Sequence, residues 1–233
     1  MYVTPKQFDW QIGWLKRRGY QFLTFTDLVA AAEPDPTDAN PTAAAAVSRA
    51  KRQVVITLDD GYENNYRQAF PILKKHGVRA VIYPIRNDLG RRDVSWPGAT
   101  EQTPADMMTE AQLQEMAAAG IEFGSHLLHH QRLTEMSADQ QRQELAQSKQ
   151  DLEALQGAPV LSIAYPYGAY DEEVLERTRA AGYQFGVTTE PGVNSSATDP
   201  LRLNRYTAKG CKFYHPLKFR RMIAAAEREA DRQ

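Results

Sequence analysis

Two short segments carry the residue types that a hydrolytic site needs. The first is Val54-Val55-Ile56-Thr57-Leu58-Asp59-Asp60-Gly61, a run of β-formers ending in paired carboxylates and a glycine. The second is Gly124-Ser125-His126-Leu127-Leu128-His129-His130, which follows the short apolar stretch Ile121-Glu122-Phe123. One carboxylate and two imidazoles form a common ligand set for a catalytic metal ion. A second carboxylate beside the first can act as general base on water. Neighbouring side chains of a strand point to opposite faces, and Gly61 permits the turn that would bring both carboxylates toward one pocket. Three of the chain's five histidines fall inside the second segment. His126 and His130 are the favoured pair. His129 stays open between replacing His130 as a ligand, lining the pocket and simple exposure. The Gly124-Ser125 start after a strand predicts a loop that opens into a helix. His76, at the end of a predicted helix, reads as compensation of the helix dipole and takes no site role.

The elements that must hold these residues alternate along the chain. Phe8, Ile12, Trp14 and Leu15 follow helical spacing up to Gly19, and Gln21–Phe25 reads as a strand. Thr26 is the expected N-cap of a second helix with Asp27 in its first turn. Residues 33–50, rich in Pro, Ala and Asp, read as an excursion inside one domain. Strands are then expected at Val54–Leu58, Val78–Ile82, Ile121–Phe123, Val160–Ala164 and Gln184–Thr188. Helices are expected at Asn65–His76, Thr109–Ala119, from Ser137 to about Gln156, at Asp171–Ala181 and from about Pro216 to Glu229. Residues 86–105 read as a polar loop. Alternating strands and helices predict an α/β fold with a mostly parallel sheet, closed or open. Active sites of such folds lie at the C-terminal strand ends. Asp59, Asp60, His126, His130 and Tyr167 all fall there.

The bulk properties narrow the class. The chain has 233 residues, 42% of them hydrophobic, enough for one large domain with its own core. Its formal net charge is −1, which points to no nucleic-acid partner. A single cysteine, Cys211, makes no internal disulfide. No window is apolar enough for a membrane span, and the first residues lack the apolar stretch of a secretion signal. The expected location is cytoplasmic as written, or the cell envelope or exterior if a leader precedes this sequence.

With these residues in view, the chain resembles the polysaccharide deacetylases of the NodB-homology group, carbohydrate esterase family 4, and among them the bacterial exopolysaccharide type. Thr57-Leu58-Asp59-Asp60-Gly61 is similar to the T-F-D-D-G motif, with Leu58 for Phe. His126-Leu127-Leu128-His129-His130 is similar to H-[S/T]-x-x-H, with Leu127 where Ser or Thr is usual. Ala164-Tyr165-Pro166-Tyr167-Gly168 is similar to R-x-P-Y, with Ala164 where Arg is usual. The likeness spans roughly residues 4–206 and implies a distorted (β/α) barrel over a single domain, residues 1–233. It implies a hydrolase that removes N-acetyl groups from N-acetylhexosamine units of a glycan or glycan precursor. An O-acetyl esterase, a small-amide deacylase and a weakly active glycan-binding relative are the alternatives. It also implies site roles. Asp60, His126 and His130 would bind a divalent metal, usually zinc, with cobalt or nickel as substitutes. Asp59 would be the base. Pro166 and Tyr167 would bound the acetyl group, with the Tyr167 N–H on the oxyanion. Tyr165, between them and Ala164, is a further candidate substrate-binding residue, and Trp96, in the polar loop Val94-Ser95-Trp96-Pro97-Gly98, reads from its own setting as a candidate for stacking on sugar. Ala164 cannot pair with Asp59, which leaves Arg202 and Arg205 as candidates to orient it. The segment that supplies a general acid in many relatives is missing, so the acid falls to His129, His215 or a water relay.

Overall fold

The computed structural model describes residues 3–32, 52–95, 105–208 and 216–232. The excursion at 33–50, Trp96 and His215 lie outside these residues.

Local chemistry starts and stops the elements largely as the sequence predicts. Helix α1 (Pro5–Arg17) opens on Thr4, whose hydroxyl accepts from Gln7 N while the Gln7 side chain accepts from Thr4 N, and Ile12 and Leu15 are buried. Strand β1 (Gln21–Leu23) leads into α2 (Phe25–Ala32). Thr26 does not cap α2. The helix begins at Phe25, two residues before the start a Thr26 cap would give; Asp27 accepts from the backbone and hydroxyl of Thr24, and Thr26 donates to Glu122. The expected strand Val54–Leu58 is two strands, β2 (Gln53–Val55) and β3 (Thr57–Asp60), broken at Ile56. β2 pairs with β1 and β3 pairs with β4 (Val81–Pro84), so the break passes the chain between two sheets. The expected helix Asn65–His76 is a π turn over Asn65–Ala69 followed by α3 (Phe70–His76). Pro71 in the first turn of α3 has no N–H to continue a regular ladder, which accounts for the change of register.

The remaining helices are α4 (Glu110–Ala118), α5 (Ala138–Gln156), α6 (Glu172–Ala180) and α7 (Pro216–Ala230). Thr109 and Ser137 close capping boxes on α4 and α5. The strands are β5 (Glu122–Phe123), β6 (Ser162–Ala164) and β7 (Phe185–Val187). Every strand pair is parallel: β1 with β2, β3 with β4, β4 with β5, and β6 with β7. Parallel bridges Ser125–Ile163 and Val187–Leu203 carry the order on from β5 to β6 and past β7. This is the α/β arrangement of parallel strands with helical crossovers expected for a distorted barrel. The main core lies under α3–α6, with Leu73, Ile82, Leu113, Met116, Phe123, Leu145, Leu152 and Ile163 all fully buried. The outer helices are tied by aromatic contacts: Phe219 of α7 packs edge-on against Trp10 and Trp14 of α1.

Candidate metal centre

Three strand ends deliver the site. β3 terminates in Asp59 and Asp60, which lie in register with Tyr83 and Pro84 of β4. Asp60 has φ 69° and Gly61 φ 79°. A Cβ on Gly61 would meet the Cα and Cβ of Pro84 at 2.8 Å, so the turn passes β4 only with glycine there. The histidine segment after β5 forms a succession of turns. The histidines themselves are not helical; a single 3-10 turn follows at Leu133–Glu135, and α5 begins at Ala138. Leu127 and His130 take positive φ values of 68° and 52°. That backbone, and not a helical repeat, brings the two imidazoles to one side.

Asp60 Oδ1 lies 3.5 Å from Nε2 of His126 and 3.5 Å from Nε2 of His130. One donor atom from each of the three lies within 4.8 Å of the others. Donors of a tetrahedral zinc stand about 3.3–3.6 Å apart when bonds are near 2.0–2.2 Å. The spacing therefore fits a small divalent cation. His126 is buried, and its Nδ1 donates to the Ala164 carbonyl at 2.7 Å, which aims Nε2 at Asp60; in the neutral ring that nitrogen carries the lone pair a metal ion would take. Burial disfavours charge on His126, but its bond to Asp60 and the charges of Asp59 and Asp60 hold its pKa above the ordinary value. Burial and then the charge of His126 pull His130 down to about 4. A metal ion bound between the three side chains would take the place of the proton that the carboxylates favour on His126.

Asp59 is held by Arg205. The guanidinium donates from Nη1 to Oδ1 at 2.8 Å and from Nη2 to Oδ2 at 3.0 Å. It also reaches Thr57 Oγ1 at 3.2 Å and, through Nε, the Thr188 carbonyl at 2.7 Å. Arg205 thereby spans the gap between the strand order beyond β7 and β3. Desolvation pushes the Asp59 carboxyl up, yet the Arg205 charge, then His126 and the Arg205 hydrogen bonds, outweigh it and hold the group below the usual carboxylate value. The arginine missing at position 164 is thus supplied from position 205. Arg202 does not serve. It pairs with Glu172 at 3.4 Å and lies 5.6 Å over the Tyr170 ring.

Two further expectations need correction. Tyr165 does not line the site: it is buried in the core and its hydroxyl donates to the Leu201 carbonyl at 3.1 Å. Pro166 is also buried, and Tyr167 is the exposed residue of that turn, 49% accessible with φ 60°. Its ring centre lies 4.8 Å from that of His130, and the Arg132 guanidinium sits 4.3 Å over the ring. His129 is not part of the ligand cluster. Its Nδ1 contacts Glu144 at 2.5 Å and its Nε2 contacts Asn87 at 2.8 Å. Both ring nitrogens are engaged there, which removes it as a substitute ligand for His130.

Glu144 had no role in the sequence reading. It is buried on α5 and accepts from the backbone N–H of Leu128 at 2.8 Å and of His129 at 3.3 Å, as well as from the His129 ring. The carboxylate thus pins the histidine loop from beneath. Glu144→Ala orphans two amides, an expected cost of about 1–3 kcal/mol, or roughly 2–12 °C in Tm for a chain of this size. Thermal unfolding of metal-free protein measures it, and a Tm equal to wild type would remove Glu144 from this role.

Comparison with known proteins places this geometry in context. Residues 46–186 match the family described as polysaccharide deacetylase. The YxkH protein of Bacillus subtilis strain 168 is 34% identical over 87% of this chain and 64% of its own length. The poly-beta-1,6-N-acetyl-D-glucosamine N-deacetylase of Staphylococcus epidermidis is 26% identical over 87% of this chain and 66% of its own. The chain therefore spans a little under two thirds of the length of these two relatives. Among solved structures, the Streptococcus pyogenes deacetylase PplD in complex with acetate superposes with a TM-score of 0.71 at 30% identity, covering 87% of this chain and 80% of that one.

Proposed function

The chain belongs to the polysaccharide deacetylase family, and from that premise we propose that it is a metal-dependent hydrolase that removes N-acetyl groups from an N-acetylglucosamine polymer and releases acetate. One observation carries this reading. Asp60, His126 and His130 converge beside a second carboxylate, Asp59, that is held ionised by Arg205. Binding alone needs no such base. The name of the Staphylococcus epidermidis relative, a poly-beta-1,6-N-acetyl-D-glucosamine N-deacetylase, supports the choice of sugar.

Asp60 Oδ1, His126 Nε2 and His130 Nε2 would hold the divalent ion, with zinc the best match to two imidazoles and one carboxylate. Such an ion supplies Lewis acidity, polarising an acyl oxygen and easing the deprotonation of water. The residues of the chain do the rest. Asp59, fixed by two hydrogen bonds from Arg205, accepts the proton of the attacking water. The Tyr167 N–H donates to the oxyanion as it develops. The Tyr167 ring, in contact with both His130 and Arg132, bounds the acetyl methyl. The departing amine takes up a proton, and acetate is the co-product.

The test is acetate release from N-acetylglucosamine oligomers, alongside O-acetylated sugars, with and without a chelator. Turnover of the N-acetyl substrates should cease with chelator and return with added zinc. Asp60→Ala and His126→Ala should each lose bound metal by elemental analysis, whereas His129→Ala should retain it. Turnover indifferent to chelator would sink the metal reading, and equal metal loss from His129→Ala would overturn the ligand set.

A further inference from the structure

We infer that Ser148 of α5, acting through the hydroxyl of Ser125, is a positioning residue that holds the histidine loop and so sets the affinity of the metal centre; this rests on the metal-dependent reading. The loop from His126 to His130 is clamped between two elements. Its carbonyls face the turn after β4: Arg86 N donates to the Leu127 carbonyl at 3.0 Å and Asn87 N to that of Leu128 at 3.2 Å. Its amides face α5. Leu128 and His129 donate to Glu144, and Leu127 donates to Ser125 Oγ at 3.0 Å. Ser125 Oγ in turn lies 2.8 Å from Ser148 Oγ, one helical turn beyond Glu144. Three successive amides are thus held from the face of α5 that carries Glu144 and Ser148.

The direction of the protons follows from the partners. Ser148 has one hydroxyl proton, and the Glu144 carbonyl at 2.5 Å is its nearest carbonyl acceptor. The neighbouring Tyr183 hydroxyl donates to the Leu145 carbonyl at 3.0 Å. Ser148 is left as the acceptor toward Ser125, which fixes the Ser125 rotor and turns a lone pair to the Leu127 amide. Ser125 and Ser148 are both fully buried, so bulk water does not stand in for a lost partner. The Ser125 backbone is fixed as well: its N–H donates to the Ser162 carbonyl and its carbonyl accepts from Ala164 N, both at 2.9 Å. Ser125 therefore ties the left-handed Leu127, which lies between the two histidine ligands, to a strand end. Without Ser148 that brace loosens and the imidazoles are less well preorganised. Partners that orient metal ligands contribute about 10- to 100-fold in affinity, and Ser148 acts further out, so about tenfold is expected.

The experiment measures zinc affinity by competition with a chromophoric chelator, and the absorption spectrum of the cobalt form, in wild type, Ser148→Ala, Ser125→Ala, their double variant, Ser148→Thr and Thr178→Val. Alanine is favourable inside a helix, so Ser148→Ala should fold. It should weaken zinc binding about tenfold and shift the cobalt bands. Beside Ser125→Ala the same change should cost little more, because one residue acts through the other. Ser148→Thr keeps the hydroxyl and should keep the affinity even where its added methyl lowers Tm. Thr178→Val removes another buried hydroxyl, on α6, and should leave zinc binding unchanged. Ser148→Ala with wild-type affinity, an equal loss in Thr178→Val or Ser148→Thr, or a loss that persists in full beside Ser125→Ala overturns the inference while the metal reading stands. Wild-type protein that takes up no zinc or cobalt ends both.

Discussion

Asp59→Asn should lower kcat by about 10²- to 10⁴-fold, the usual contribution of a positioned general base, while the protein still takes up its metal. The expectation follows from the separation of roles at the end of β3. Asp60 faces both imidazoles at 3.5 Å. Asp59 is instead engaged by Arg205 through both of its oxygens. An amide at position 59 keeps the size of the side chain and removes the proton acceptor. Metal content by elemental analysis, with steady-state acetate release on the same samples, separates the two functions. Turnover within threefold of wild type would exclude Asp59 as the base, and loss of the metal would mean that it is a ligand.

The second large effect is expected at Arg205. Arg205→Ala should reduce kcat, move the acid limb of the pH–rate profile upward and destabilise the fold. The direction follows from charge. Arg205 holds the Asp59 carboxyl below its ordinary value against the opposing effect of desolvation, so its removal raises that pKa and protonates the base at a higher pH. The stability effect has the sign of a depressed carboxylate. The ion pair contributes fully above the unfolded-state pKa near 3.9 and loses its contribution as pH falls through the lower folded-state value. Side-chain exposures of 16% for Arg205 and 33% for Asp59 put the pair between the surface and buried cases, which sets the expected loss at neutral pH at about 1–3 kcal/mol. Arg205→Lys restores the charge without the two-pronged geometry. It should recover the position of the acid limb better than it recovers kcat. An acid limb unmoved in Arg205→Ala would show that Asp59 is tuned by something else.

The sequence made the candidate metal centre legible and its support much less so. Asp60, His126 and His130 were readable because each follows a short apolar run, and parallel folds gather their chemistry at such strand ends. The choice between Arg202 and Arg205 was not readable. Both lie beyond the last strand, and only the bridge between Val187 and Leu203 decides which one reaches β3. Tyr165 was misplaced although its signal was present. Ile163 and Tyr165 are two residues apart and point into the same core, as strand alternation requires. Glu144 could not be found, because its amide partners come from a loop far away in sequence. The split of Val54–Leu58 into two strands was hidden, since both halves are equally good β-formers.

Leu127 shows what the backbone of the histidine loop means for mutation. It has φ 68°, a conformation that costs a side-chain-bearing residue about 1–2 kcal/mol, and it is also completely buried in the main core. Glycine would relieve the backbone but empty the space, at about 2–5 kcal/mol for a buried leucine cut back to alanine. Asparagine would accept the backbone angle but bury an amide among apolar neighbours. A β-branched residue would keep the volume and worsen the backbone. Each simple exit from the position is uphill, so the loop that aims both imidazoles has almost no neutral drift open to it by single substitutions. A library seeking altered metal or substrate preference would do better to leave 127 fixed and vary the exposed shell around Tyr167 and Arg132.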